Sequence, residues 1–387
     1  MLGYALLVAA LIVGLASSGN PARVAGFFLQ GLLARGTLEL LAVVTLVEML
    51  TVFLETTGSL QRMLAALRRV FRDARVLIAL VPSVLGLFPV PGGVMLSAPM
   101  VARYGDEIGF APDAKASVNL FFRHIWDQVF PFKPHLILAA VVLDIPLFTL
   151  IGWQLPVTLA SFAIGYWYLV GRHPRAERSG EEAGHDPPAG RPLLIEVAPL
   201  VIPLALALGF GIDFVYSVAA GLAFGVLTQG LSRGMLHKMA TKGVRPKLLF
   251  TLAAVMILKT VVEQGGVAKA LAALLAGYGL PIAPLAFALP AVVGLVTGLE
   301  TAVVAITFPL LLGMIPSGVP VLPYVLVMMI GNAVGSTLSP VHVCMVAGNE
   351  YYGARLGQVV RIHLAPQSFR VAGTVAFAWA LMRYLGG

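Results

Sequence analysis

Glu300 stands in the apolar run LVTGLETAVVAITFP, Leu295 to Pro309, with Thr297, Gly298 and Thr301 beside it. A carboxylate at bilayer depth costs about 2.5–3.5 kcal/mol on insertion scales, so such a group has a partner or a task. It has the chemistry to take up a proton or to help coordinate sodium. Asp127 is a second candidate of this kind. It lies in NLFFRHIWDQVFPFKPH, Asn119 to His135, with Arg123, His124, Lys133 and His135 around it, and cationic groups there would favour an anion. The run GNAVGSTLSPVH, Gly331 to His342, supplies Asn332, Ser336, Thr337, Ser339 and His342. Its neutral oxygens suit a hard cation such as sodium, and its hydroxyls and amide equally suit a carboxylate. A sodium site near Glu300, Thr301, Asn332 and Ser336 is one expectation, and proton coupling is the other. In PVPGGVMLSAP, Pro89 to Pro99, the residues Pro91, Gly92 and Gly93 interrupt a helix and free backbone amides for an anion or polar ligand, while Ser97 adds a hydroxyl.

Each feature also has a purely structural reading. Glu300 would then sit in an ion pair, the small polar residues would pack helices, and PVPGG would be a proline kink. Arg123 and His124 would be solvated near the cytoplasmic interface.

Other chemistries find little support. There is no HExxH, no phosphate-binding glycine loop ending in Lys-Ser or Lys-Thr, and no GxSxG. An enzyme is therefore not expected, and neither is a cofactor beyond a coupling ion. The single cysteine, Cys344, excludes an internal disulfide and any cysteine-rich metal site. The net charge of +8 is spread over short loops without a compact basic patch, so no nucleic acid partner is expected.

These residues need a particular kind of scaffold. Charged residues make up 11% of the 387 and hydrophobic ones 59%, against roughly 25% charged in a soluble domain. Too few charges remain to solvate a globular surface, so the lipid bilayer is the expected solvent. Apolar spans are predicted near 2–18, 37–55, 135–150, 151–171, 193–210, 213–230, 248–263, 321–346 and 371–385. The first is read as a span, because it lacks the basic start of a signal peptide. Two further stretches, 76–101 and 282–312, are broken centrally by Pro and Gly. Segment 172–192 is a hydrophilic linker.

The halves correspond. Glu55 and Glu263, Gly58 and Gly266, Pro82 and Pro290, and Gly86 and Gly294 each stand 208 residues apart, and Pro134 and Pro340 stand 206 apart. The loop between Glu55 and Pro82 holds Arg62, Arg68, Arg69, Arg72 and Arg75, whereas its counterpart holds only Lys269. Basic loops stay cytoplasmic, so equivalent loops lie on opposite sides and the repeats are inverted. The expectation is an all-α polytopic membrane protein of two inverted-topology repeats, each with a re-entrant helical hairpin and a discontinuous transmembrane helix. Repeat one is 1–171 (hairpin 76–101, broken helix 116–150). The cytoplasmic linker and connecting span are 172–212, and repeat two is 213–387 (hairpin 282–312, broken helix 321–349). Crossing arithmetic puts the N-terminus in the cytoplasm and the C-terminus outside an inner membrane, provided both hairpins enter and leave on one side. Such architecture suits a secondary transporter.

At PVPGGVMLSAPMV, VGLVTGLETAVVAITFPLLLG and GNAVGSTLSPVHVCMVAGNEYYG the chain resembles the domain of unknown function 401 membrane family. That family is placed in the ion-transporter superfamily with divalent-anion/sodium symporters and gluconate and lactate permeases. The resemblance implies scaffold and transport domains, a homodimer and an elevator-type movement. It implies binding at the hairpin tips, Pro91, Gly92, Gly93 and Thr297, Gly298, Glu300, Thr301, and at helix breaks near Lys133, Pro134 and Ser339, Pro340. The Ser-Asn-Thr tip motifs of the divalent-anion symporters are absent, so dicarboxylate chemistry is not implied. Taken together, a sodium- or proton-coupled carrier of a small organic anion is expected, by symport or exchange. A sodium/proton antiporter is the alternative, and a membrane enzyme or non-transporting scaffold is the third reading.

Overall fold

The structure, a computed structural model, describes residues 2–88, 93–173, 192–230, 232–267, 270, 273–274, 281–316 and 318–386. The chain is helical, and four helices are long and apolar enough to cross a membrane: Arg35–Thr56, Leu147–Gly171, Leu193–Phe210 and Leu322–Tyr352. Large apolar side chains stand exposed on the outside, among them Leu208 (65%), Phe210 (77%) and Leu227 (81%). Water would penalise such a surface, whereas hydrocarbon does not, which fits a membrane protein.

Both hairpins are present. The first joins Ala74–Gly86 to Val94–Glu107, and the second joins Ile282–Thr297 to Glu300–Leu312. Gly298 makes the second turn in the left-handed region (φ +64°), where a side chain would be strained. Both discontinuous helices are present as well, as Pro112–His124 with Pro134–Leu143, and Leu322–Leu338 with Val343–Tyr352. Pro340 explains where Leu322–Leu338 stops, and Pro131 keeps the first broken helix from resuming before Pro134, because each removes an amide that would have bonded four residues back. Pro131 thereby frees the carbonyl of Asp127, whereas the carbonyl of Ser336, deprived of an amide at Pro340, accepts from Ser339 N at 3.3 Å.

Small residues set the spacing of the second repeat. A Cβ on Gly331 would lie 2.5 Å from Phe287 O, one on Gly335 2.1 Å from Ala291 O, and one on Gly294 2.7 Å from Ser336 N. The broken helix and the first hairpin arm thus pack backbone to backbone, as small residues four apart allow.

The hairpins and broken helices pack on one another and on Leu356–Gly386. Around Arg35–Thr56 gather Phe214–Gln229, Arg233–Gly243 and Pro246–Gln264, and the last of these also carries Leu2–Ser18 and Pro21–Leu33. The connecting helix Leu193–Phe210 is anchored by Glu196, which accepts from Arg62 Nε and Nη2 at 2.8 Å each and from Ser59 Oγ at 2.5 Å.

Several boundaries differ from the sequence reading. The first broken helix ends at Leu143, not 150, because Asp144 adopts φ +55° and Pro146 follows. The last helix, Leu356–Gly386, runs 31 residues and begins well before the span predicted near 371–385. Helices Pro21–Leu33, Ser59–Val70 and Arg233–Gly243 were not expected, being too polar or short to register as spans.

Candidate functional site

The two helix breaks and the second hairpin tip meet at one buried polar cluster. Its core is Asp127, 2% exposed, in the first break. Lys133 Nζ lies 2.5 Å from Asp127 Oδ1, and His124 Nδ1 lies 2.6 Å from Oδ2. Lys133 also donates to the carbonyl of Gly86, the last helical residue of the first hairpin arm, placing a cation where the helix C-terminus favours one. His135 Nε2 meets the Asp127 carbonyl that Pro131 released, at 3.1 Å.

The second repeat closes the cluster. His135 Nδ1 faces Glu300 Oε2 at 3.0 Å. His342 Nδ1 faces the carbonyl of Gly298 at 2.9 Å, and its Nε2 lies 3.1 Å from His124 Nε2. Gln128, at the first break, donates to the carbonyl of Met329 on the second broken helix at 2.6 Å. Asp127, Lys133, His135, Gly298, Glu300 and His342 are therefore brought together, and His124 and Gln128 join them.

Proton counting constrains this cluster. A carbonyl oxygen only accepts, so His135 carries hydrogen on Nε2. In the neutral ring Nδ1 is then a lone pair, and it faces a carboxylate oxygen. The contact holds only with one further proton on the pair, shared between imidazole and Glu300.

At the first tip, Gly93 lies against Arg123, and a Cβ built on it would come within 2.2 Å of Nη2. Arg123 is 4% exposed, not solvated at an interface, and its Nη1 has no hydrogen-bond partner among the described residues. Gly93 is the N-cap of Val94–Glu107 and supplies no side-chain cap, so uncapped amides and a buried guanidinium sit together. Pro91 and Gly92 lie outside the described residues.

The remaining candidates hold the framework. Ser97 Oγ donates to Asn119 Oδ1 at 2.7 Å, and Asn119 Nδ2 meets Tyr352 Oη at 3.1 Å. Thr297 and Thr337 donate to carbonyls one turn back, Val293 O and Ala333 O, at 2.7 Å each. Ser336 Oγ donates to Asn332 Oδ1 at 3.2 Å, and Asn332 Nδ2 lies 3.4 Å from the Glu300 carbonyl. Ser339 Oγ receives the amide of Val341 at 3.3 Å. Of the expected sodium set, Asn332 thus reaches both Ser336 and the Glu300 carbonyl. The Glu300 carboxylate turns to His135, and Thr301 lines a separate cleft with Leu2, Tyr4 and Pro246.

Sequence reasoning missed a polar stripe on the last helix. Arg370 Nη1 donates to Gln367 Oε1 at 3.1 Å, and Gln367 Nε2 bonds His363 Nε2 at 2.9 Å and Thr337 Oγ1 at 3.1 Å. The signal was available as spacing, because His363, Gln367, Arg370 and Thr374 recur at helical intervals. All four are buried. The predicted span near 371–385 leaves out His363, Gln367 and Arg370, because polar residues lower the mean hydropathy there.

A membrane protein with paired hairpins and paired broken helices enclosing one charged cluster is the class defined here. Residues 2–382 match DUF401, described as a protein of unknown function, and the chain belongs to that family. No curated protein matches the chain. Among solved structures, the Alcanivorax borkumensis YdaH transporter, described as having an unusual topology, is similar with a TM-score of 0.70. That likeness covers 100% of this chain and 98% of the other at 14% identity, and it shows the fold.

Proposed function

We propose that this protein is a secondary active transporter carrying a small organic anion, a carboxylate, with proton coupling. The observation that carries the reading is the buried guanidinium of Arg123 beside the uncapped helix start at Gly93. A buried guanidinium whose Nη1 has no hydrogen-bond partner among the described residues is costly, and a helix N-terminus adds partial positive charge to the same place. Together they suit one carboxylate. Charge balance supports this. Arg123, Lys133 and Arg370 are buried strong cations, set against the carboxylates Asp127 and Glu300.

The proton shared by His135 and Glu300 is the natural coupling ion. Its loss would set a lone pair against a carboxylate and release the second tip from the first broken helix. In this reading the hairpins and broken helices form a moving transport domain and the helices around Arg35–Thr56 form the scaffold, in a homodimer working as an elevator. The N-terminus is cytoplasmic and the C-terminus external, in the inner membrane.

Uptake into proteoliposomes across a panel of carboxylates, with pH or sodium gradients imposed, tests the proposal. Proton-driven uptake of at least one anion is the expected result. If no anion moves under either gradient, the substrate class is wrong. The second reading is a sodium/proton antiporter, favoured by the low exposure of both carboxylates, 2% for Asp127 and 13% for Glu300. Sodium-driven dequenching of a pH-sensitive dye in the same vesicles, without organic substrate, would select it.

A further inference from the structure

His124, His342 and Cys344 place one ligand atom each within 4.8 Å of the others, at the junction of the two broken helices. His342 Nδ1 faces a carbonyl, so the hydrogen is on Nδ1 and Nε2 is a lone pair in the neutral ring. His124 Nδ1 faces the carboxylate of Asp127, which fixes its tautomer the same way. With both rings neutral, two lone pairs would point at each other across 3.1 Å, so the contact needs a cation between them, a proton or a metal ion.

We propose that this triad is a binding site for a borderline-soft transition metal ion of the Zn2+ type. Imidazole nitrogen and thiolate sulfur are the donors such ions select. Around a tetrahedral zinc, ligand atoms stand about 3.3–3.6 Å apart, so the two imidazoles are near that separation and the sulfur must close by about 1 Å. The outer hydrogen bonds have the form that orients metal-binding histidines, with one ring held by a carboxylate and the other by a carbonyl. Cys344 would bind as the thiolate and meet one charge of the ion, and Asp127, through His124, would meet the other. Three protein ligands leave one position for water or a substrate carboxylate. The assignment does not rest on transport.

Cobalt titration of the purified, tag-cleaved protein in detergent, after chelator treatment, tests it. One Co2+ per chain is expected, with a sulfur-to-cobalt charge-transfer band that Zn2+ abolishes by displacement. Cys344→Ser should lose the band. Asp127→Asn should weaken binding by about 10–100-fold, as loss of an outer hydrogen bond does, and His342→Gln by more. Melting curves and gel filtration establish that each variant is folded, and His124→Gln replaces His342→Gln if the latter is not. Absence of stoichiometric Co2+ uptake by folded wild-type protein would mean that the histidines share a proton only, and the site would be rejected. Unchanged affinity in the folded histidine variant would reject it equally. Because no gradient exists in detergent, either failure leaves the transport reading intact.

Discussion

His135 Nδ1 lies 3.0 Å from Glu300 Oε2, so the first helix break and the second hairpin tip are joined by one contact that requires a proton. Glu300→Gln replaces the carboxylate with an amide whose N–H donates to the neutral ring without that proton. The variant is expected to fold and to exchange substrate across the membrane at equilibrium. Proton-driven accumulation should fall by about 10–100-fold, the equivalent of a hydrogen bond to a charged group. Counterflow and gradient-driven uptake, measured on the same vesicles, separate these outcomes.

Arg123 is expected to set anion affinity. Arg123→Gln should weaken substrate binding by about 10–100-fold through loss of a charge-assisted bond. Gly93→Ala should act in the same direction with a smaller effect. Its methyl displaces the far end of a flexible side chain, not backbone, so folding survives. Direct binding in detergent checks both.

Gly298→Ala tests the second turn. Left-handed backbone costs a residue with a Cβ about 1–2 kcal/mol, and that Cβ would also lie 2.8 Å from His342 N. A lowered melting temperature and reduced uptake are expected. Gly357→Ala is the control, since nothing lies within 4 Å of its Cβ and helical alanine is favoured over glycine.

Gly335→Ala should be more damaging than either. The added methyl meets the Ala291 carbonyl at 2.1 Å, and neither helix can retreat without opening the interface. Loss of monodisperse protein on gel filtration is the expected outcome.

Orientation is checked by labelling. In a Cys344→Ser background, Ser179→Cys in the 172–192 linker should react with a membrane-impermeant maleimide only after cells are permeabilised.

The hairpins and broken helices were legible because Pro and Gly in an apolar run have few other uses. The 208-residue offset then tied them in pairs. Arg123 and His135 were visible as residue types, but not as neighbours of Gly93 and Glu300, because those contacts cross up to 165 positions of sequence. Gly331 and Gly335 illustrate the opposite difficulty. Glycine in a polar break permits close backbone approach, and here the approaching backbone is another helix; composition cannot distinguish a ligand from a neighbour. The start of the last helix was not legible from hydropathy, because its first turns carry His363, Gln367 and Arg370 on the buried face.

Glu300 occupies the first turn of its hairpin arm, so its carboxylate stands at a helix N-terminus. The 208-residue offset carries Glu300 onto Gly92, which has no side chain to offer. In the proposed function, one seat would be taken by a tethered carboxylate and its counterpart left for the substrate. The carrier would then count one anion per chain despite two tips, with Glu300 acting as a built-in stand-in for the cargo. Cutting Glu300 back to Gly would vacate the second seat and turn a one-anion carrier into a two-anion binder.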